Sequence, residues 1–408
     1  MDPRPGIAAD AVLGVVPRLV FEPATVAEAA AAVARCARDH LTLAFVGGGT
    51  DLALGTPPET LDAVLRTSGL ARVVEHAPAD QVVTVEAGMT LAALQGALAP
   101  HGQWLALDPP WPGRATVGGI VAANAFGPRR ARYGSARDLI LGASLVRADG
   151  TAAKGGGKVV KNVAGFDLPR LLVGSLGTLG LVTTVTFRLH PRPEAAATVR
   201  VREVDAAGVW ALTRAARQAQ LEPSSSAALV VSDRLDLAVR FEGFAPGVEQ
   251  QSERWLALAR AAGLAAERLD EPGARAFWDR HDAVRTDGPL RAKLSAPPSA
   301  LPEVARQALA PLLGELSPAS AVWYPELGLG FVAGSPARLP AVAQAIEEAR
   351  AALEQRGGSL VLADAPTEVR SAVDVWGAAP PALPLMRELK QRLDPDRRLN
   401  PGRFVGGL

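Results

Sequence analysis

Apolar positions along the chain follow two periods, and the changes of period mark out the elements. Thr42 to Val46 is a short apolar run that ends at Gly47, the pattern of a buried strand feeding a glycine-rich loop. Before it, residues 25–39 have helical composition; Thr25 stands as N-cap and Glu28, three residues on, completes a capping box. Residues 81–86 read as a second strand ending at Gly88 and followed by a helix over 90–99. Residues 139–146 read as a third, with Asp149-Gly150 as a turn, and residues 181–189 alternate as a strand directly after Gly180.

The pattern changes at Pro191-Arg192-Pro193, where prolines interrupt pairing and the glycine clusters stop, so a domain boundary is placed there. Beyond it one order of elements occurs twice. Strand 199–204, helix 206–219, strands 227–231 and 235–241, helix 248–262 and strand 265–269 form a first βαββαβ unit. Strand 290–294, helix 301–313, strands 321–325 and 328–332, helix 339–355 and strand 359–363 form a second. Two ferredoxin-like halves sharing one sheet account for the repetition. The expected fold is α+β, with residues 1–192 as one domain, 193–382 as a second, and 383–408 as a helix and turn-rich tail returning to the first.

Length and charge narrow the function. A chain of 408 residues fits two domains with a sizeable apolar interior. Lys and Arg total 43 against 42 Asp and Glu, a balance unsuited to wrapping a nucleic acid. The single cysteine, Cys36, excludes an internal disulfide and an all-cysteine metal or iron–sulfur site within this chain. The first residues lack the profile of a signal peptide, and no apolar run reaches membrane-spanning length; the alanine-rich run 27–37 is broken by Glu28 and Arg35. A cytoplasmic protein is expected, reaching a membrane only through partner subunits.

Three glycine-rich stretches lie in the first 190 residues: Val46-Gly47-Gly48-Gly49-Thr50-Asp51, Thr116-Val117-Gly118-Gly119, and Gly174-Ser175-Leu176-Gly177-Thr178-Leu179-Gly180. A pyrophosphate is held best by inward-pointing backbone N–H groups, and side chains at those positions would keep the backbone at a distance. A phosphate-bearing cofactor is therefore expected in this half. Lys154-Gly155-Gly156-Gly157-Lys158 superficially suggests a nucleotide P-loop, but lacks the first glycine and the Ser or Thr after the lysine.

Together with residues 115–124, Tyr133 to Asp138, and Gly165-Phe166-Asp167-Leu168, these stretches resemble the FAD-binding domain of the vanillyl-alcohol-oxidase flavoproteins, the para-cresol methylhydroxylase (PCMH) type. The resemblance covers most of residues 15–192. The tail from Leu393 to Gly402 is similar to the LDPxxxLNPG ending of the glycolate and D-lactate dehydrogenase branch. Within that branch the short length and the segment from Lys158 to Gly165 resemble the FAD-binding E subunits of glycolate oxidases. The resemblance implies that Val46, Gly47, Gly48, Gly49, Thr50 and Asp51 meet the FAD pyrophosphate. It implies that Thr116, Val117, Gly118 and Gly119 approach from the other side, with Pro109, Asn124, Gly127 and Asp138 close by. It places Gly174, Gly177, Thr178, Gly180 and Val182 at the adenine and ribose end. Covalent attachment in this family uses histidine or cysteine; the first loop has neither, so the FAD is expected to be non-covalent.

Relatives that oxidise 2-hydroxy acids carry a paired-histidine metal and base site in the second domain, because a proton must leave the hydroxyl as hydride leaves carbon. After residue 190 this chain has one histidine, His281, so the pair cannot be built and no metal is expected. His281 as a lone base would need Asp282 as its orienter, which adjacency on a helix disfavours; a packing role is the simpler reading. His40, His76, His101 and His190 read as structural. Arg129, Arg130 and Arg132 read as a solvated loop, with a clamp for phosphate or an acidic partner as the alternative. Arg285, Arg291, Lys293 and Arg403 are candidates for carboxylate recognition, with Trp323 and Tyr324 as candidate pocket walls.

Three functions stay open at this point. The first is the FAD-binding subunit of a glycolate oxidase, beside a larger flavin subunit and an iron–sulfur subunit. The second is a self-contained FAD oxidoreductase of another small 2-hydroxy acid or alcohol, using Tyr133, Tyr324 or a lysine as base. The third is a structural subunit that no longer uses flavin, against which the intact glycine loops speak.

Overall fold

The computed structural model describes residues 1–159, 167–231 and 233–408. Residues 160–166, which carry most of the Lys158-to-Gly165 motif and the Gly165-Phe166 pair, lie outside the described residues. Contacts divide the chain into two units. The first contains residues 1–127, 134–192 and 378–408, the second 128–133 and 193–377. This differs from a division into 1–192, 193–382 and 383–408 at two places: the short segment Pro128–Tyr133 packs with the second unit, and the return to the first begins at Ala378.

The first unit holds two principal sheets. Strands β1 (Arg4–Pro5), β2 (Leu19–Phe21), β3 (Leu43–Val46) and β4 (Ala63–Arg66) form a sheet in the order β1-β2-β4-β3, in which β4 runs parallel to both neighbours. The helix Val26–Arg38 covers it, burying Ala29, Ala32, Val33 and Cys36 against Leu43, Ala63 and Leu65. Thr25 caps it as the sequence predicts, accepting from the Glu28 N–H at 3.2 Å, but the reciprocal half of the box does not close: Glu28 accepts from the N–H of Ala24 at 2.7 Å, one residue before the cap, and not from that of Thr25.

Further along come β5 (Val73–Ala77), β6 (Val82–Glu86), β7 (Gln103–Trp104), β8 (Ile140–Val146), β9 (Ala152–Gly156) and β10 (Leu181–Arg188). All but β7 form an antiparallel sheet in the order β5-β6-β10-β8-β9, and β7 pairs with β11 (His190–Pro191). The lysine–glycine run therefore begins on an edge strand, β9, and not in a phosphate loop. The helices Leu91–Leu98 and Val117–Ala123 bury Leu91, Leu94, Val117 and Ile120 with Val83, Val85, Val185 and Phe187 of the sheet.

The second unit is built on one eight-stranded sheet. Its strands are β12 (Ala195–Val204), β13 (Ser225–Val231), β14 (Arg234–Gly243), β15 (Ala266–Arg268), β16 (Leu290–Ser295), β17 (Leu316–Tyr324), β18 (Leu329–Pro336) and β19 (Ser359–Asp364). The order β15-β12-β14-β13-β17-β18-β16-β19 is two ferredoxin-like halves, each with its fourth strand at the outer edge, joined through β13 and β17 at Ala228↔Trp323 and Leu229↔Val322. One face packs on helices through Val199, Val201, Leu237, Val239, Trp323 and Val332. Alternation sends Thr198, Arg200, Arg240 and Tyr324 to the opposite face. The helix Glu271–Thr286, absent from the predicted repeat, packs on β17 and β18. Its start was legible: Asp270 accepts from the Gly273 N–H at 2.9 Å and Pro272 lies in the first turn.

Candidate functional site

The first glycine loop begins where β3 ends. Its last ladder bond is accepted by Val46 O from the N–H of Thr67, just past the neighbouring β4, at 2.9 Å, and from there the loop leaves the ladder. Among the described residues no acceptor is hydrogen-bonded to the backbone N–H of Gly47, Gly48, Gly49 or Thr50. Gly49 has φ +71°, a conformation L side chains rarely adopt, and a Cβ placed there meets nothing within 4 Å. At Gly47 and Gly48 a Cβ would instead meet Thr116 Oγ1 at 2.1 Å and Arg114 O at 1.7 Å, so these two glycines pack against the second stretch while the run of four unused donors is suited to an anion.

This loop lines a cleft that is open to solvent. Val46, Gly47, Gly48, Gly49, Thr50 and Asp51 form one wall, Gly118 and Gly119 a second, and Gly177, Gly180 and Val182 a third. Thr67, Ala87 and Arg403 also line it. Thr67 and Ala87 lie just beyond β4 and β6, and nothing in their sequence context marked them.

The second glycine stretch lines the cavity, but its first donors are used internally. The N–H of Val117 bonds to Met89 O at 2.8 Å, that of Gly118 to Ala87 O at 2.7 Å, and that of Gly119 to the Thr116 hydroxyl at 3.3 Å. A Cβ on Gly118 would stand 2.7 Å from that of Ala87. Glycine is needed here so that the helix Val117–Ala123 can lie against the end of β6, and a Gly118→Val substitution disturbs folding as well as the cavity.

The remaining predicted positions lie behind the walls. Thr116 is the buried N-cap of that helix, Val117 is core, and Asn124 is its left-handed C-cap at φ 50°. Gly174 donates its N–H to Val121 O at 2.9 Å, and the Thr178 hydroxyl donates to Ser175 O at 2.7 Å. Asp138 accepts from the N–H and hydroxyl of Ser135 at 2.8 and 2.9 Å, capping the helix Ala136–Leu139. Gly127 permits close approach of Asp108, where a Cβ would be 2.4 Å from the carboxyl carbon. Pro109 is buried in the irregular stretch after β7.

The tail holds the first and third loops. Leu43 N–H bonds to Arg398 O at 2.8 Å and Asn400 N–H to Leu43 O at 2.9 Å, so the tail lies along β3. Asn400 Nδ2 donates to Leu176 O at 2.9 Å. Arg403 is buried and donates to Leu52 O and Leu54 O at 2.6 and 2.8 Å, bracing the segment after the first loop. Lys390, 2% exposed, donates to Thr178 O, Asp394 Oδ2 and Leu399 O at 2.8, 2.7 and 2.8 Å. Burial lowers its pKa, and Asp394 opposes the shift.

With this geometry in place, comparison with known proteins becomes specific. Residues 17–156 match the FAD binding domain family. The chain carries a PCMH-type FAD-binding domain. It is 39% identical over 169 residues to glycolate oxidase subunit GlcE of Escherichia coli (strain K12), covering 41% of this chain and 47% of that protein. To D-lactate dehydrogenase of Archaeoglobus fulgidus it is 38% identical over 176 residues, 43% of this chain and 39% of that one. The chain thus spans less than half the length of these two relatives. Among solved structures, an alkyldihydroxyacetonephosphate synthase shares the fold at TM-score 0.71 and 15% identity, over 95% of this chain and 78% of the other.

FAD fits the residues present. The free donors at 47–50 suit its pyrophosphate, each charge-assisted bond contributing about 1.5–3 kcal/mol. Among the described residues no histidine or cysteine lines the cavity. The flavin is therefore expected to appear in the supernatant after acid precipitation of the holoprotein; flavin remaining in the washed pellet would show a covalent bond.

In the second unit, His281 is 2% exposed. Its Nε2 hydrogen-bonds the Tyr324 hydroxyl at 2.7 Å and its Nδ1 meets Asp282 Oδ1 at 2.9 Å. The expectation that Asp282 is badly placed is therefore corrected: the carboxylate curls back along the helix surface to its neighbour's ring. Burial lowers the His281 pKa to about 4, so the imidazole is neutral at pH 7. Arg291 pairs with Asp364 at 2.8 Å and Arg285 stacks on Phe331 at 5.4 Å, while Trp323 and Tyr324 are fully buried. The basic run is no solvated loop: Arg129 makes a two-pronged bond to buried Glu242 at 2.8 and 3.2 Å, and Arg132 pairs with Glu222 at 2.5 Å.

Glu326, in the turn between β17 and β18, accepts from the Ser226 hydroxyl at 2.7 Å, and burial raises its pKa to about 7. A carboxyl with a folded pKa above its unfolded value binds its proton more tightly when folded, so stability falls as pH rises from about 4.5 to 7. Glu326→Gln is expected to be more stable than the parent at pH 8 by about 3 kcal/mol and equal to it near pH 4. Melting curves at the two pH values check this; equal differences at both would refute it.

Proposed function

We propose that this chain is the FAD-binding subunit of a complex that oxidises glycolate to glyoxylate, beside a larger FAD-binding subunit and an iron–sulfur subunit. Bound FAD supplies the hydride acceptor. What this chain contributes is the cradle at residues 47–50 and the walls at Gly118, Gly119, Gly177 and Gly180 that orient it. The similarity to GlcE and to glycolate oxidase subunit GlcD of Bacillus subtilis supports a subunit role.

The observation that carries the reading is His281. Removing the proton of a 2-hydroxy acid needs a base with a free lone pair near the substrate. The one histidine after residue 190 is buried with both ring nitrogens engaged. Cys36 is buried in the first unit, and as the single cysteine it leaves iron–sulfur ligands to another subunit. Among the described residues no helix is long and apolar enough to cross a membrane, which agrees with attachment through partners.

A self-contained oxidoreductase is the second reading, favoured by the Tyr324 hydroxyl beside a neutral imidazole. The complete burial of Tyr324 weighs against its meeting substrate. One experiment separates the two: the purified chain carrying FAD is mixed anaerobically with glycolate, then with D-lactate. The subunit reading expects an unchanged flavin spectrum until the partner subunits are added. Bleaching by the chain alone would overturn it in favour of the second reading.

A further inference from the structure

The tail meets the first unit through many bonds, but one side chain ties two points of the tail itself to the third glycine loop, 212 residues away. Lys390 lies at the end of the helix Leu383–Leu393 and spends its three donors on Thr178 O, Leu399 O and Asp394 Oδ2, at 2.8, 2.8 and 2.7 Å. Asp394 in turn accepts from the N–H groups of Arg398 and Leu399 at 3.2 and 2.8 Å. The Thr178 carbonyl lies between Gly177 and Gly180, both of which line the FAD cavity. Both have positive φ; within the loop the Ser175 and Thr178 hydroxyls bond to Leu172 O and Ser175 O, and the Thr178 carbonyl is left to Lys390.

A buried ammonium is costly, and a hydrophobic residue of similar volume would hold a helix to a loop without that cost. A single buried ammonium offers three N–H donors and so can fix the direction of three acceptors at once, whereas dispersion contacts specify no angle. We propose that Lys390 is a positioning residue for FAD: by pinning the Thr178 carbonyl to the tail it sets the third wall of the cavity, and so controls FAD affinity without touching the cofactor.

The linkage is reciprocal. A tail that tightens the FAD site is itself tightened by FAD, by the same factor. Two measurements test this, independently of which substrate the complex oxidises. In the first, full-length flavin-free K390M and K390M/D394N are titrated with FAD, following flavin fluorescence, and melted without FAD. The double variant removes both buried charges; Asp394 accepts from the Arg398 N–H at Oδ1 and from the Leu399 N–H at Oδ2, and Asn keeps an acceptor for only one of them, so the melting curve without FAD measures what the change costs in stability.

The expected result is a double variant that stays folded without FAD at the temperature of the titration and binds FAD about 10-fold more weakly. Parental affinity in that folded variant would overturn the proposal. In the second measurement, hydrogen exchange of residues 394–403 in the unaltered protein is compared with and without FAD. Exchange slowed about 10-fold by FAD is expected, and unchanged exchange would overturn the proposal even if neither variant folds.

Discussion

Gly49→Val is expected to yield a folded chain that purifies without flavin. The backbone at Gly49 has φ +71°, and a Cβ there meets no protein atom within 4 Å, so the new Cβ itself meets no packed neighbour. What it does is fill space beside the free N–H groups of residues 47–50 and force a β-branched residue into the left-handed region, at a cost of about 1–2 kcal/mol. Losing two charge-assisted bonds to the pyrophosphate removes about 3–6 kcal/mol of binding, which is at least 100-fold in affinity. The check is the flavin-to-protein absorbance ratio together with a melting curve. A variant that keeps stoichiometric flavin would place the pyrophosphate elsewhere. Gly118→Val makes the contrasting control: its Cβ would lie 2.7 Å from that of Ala87, so flavin and stability are expected to fall together.

The second large effect lies far from the flavin cradle. Arg129→Met is expected to destabilise the second unit by about 3–5 kcal/mol, because it leaves a buried carboxylate without its partner. The Glu242 side chain is 5% exposed, and the Arg129 guanidinium holds its pKa below the usual carboxylate value against the opposing effect of burial. A depressed pKa contributes stability that is present above the unfolded value and lost as pH falls through the folded one. The parent should therefore lose this contribution on acidification, while Arg129→Met, whose Glu242 prefers its neutral form, narrows the gap to the parent. Arg129→Met/Glu242→Leu should recover most of the loss. Denaturant unfolding at pH 7 and pH 4 measures both; a single variant within 1 kcal/mol of the parent at pH 7 would mean the pair contributes little.

How much of this was legible in the sequence depended on how local the signal was. The N-cap at Thr25, the run from Leu43 into Gly47, and the two βαββαβ passages are carried by neighbours a few residues apart, and the structure forms them where they were read. A helix was read around His281 and Asp282, but not its extent or its place beside the repeat: it runs Glu271–Thr286, announced by Asp270 and Pro272, and buries Phe277, Trp278 and His281. The basic run was misread for a different reason. Arg129 finds its carboxylate at Glu242, 113 residues away, and no spacing rule reaches that far.

Glycine by itself determined where backbone comes close to something, since a missing side chain is written in the sequence. It did not say to what. At Gly49 the space is open beside free donors, whereas at Gly118 it is taken by Ala87 and at Gly127 by Asp108. Only the tertiary structure distinguished the cradle from the packing joints, because the difference lies in which distant atoms arrive there. The same holds for the tail. Its Asp394, Asn400 and Arg403 could be recognised as a motif, but their work is done on Leu399, Leu176, Leu52 and Leu54, and on Lys390 reaching Thr178. Local pattern sets the elements, through torsional preference and the burial of one face; the partners of polar side chains are chosen by the fold, where an unsatisfied buried group is too costly to leave.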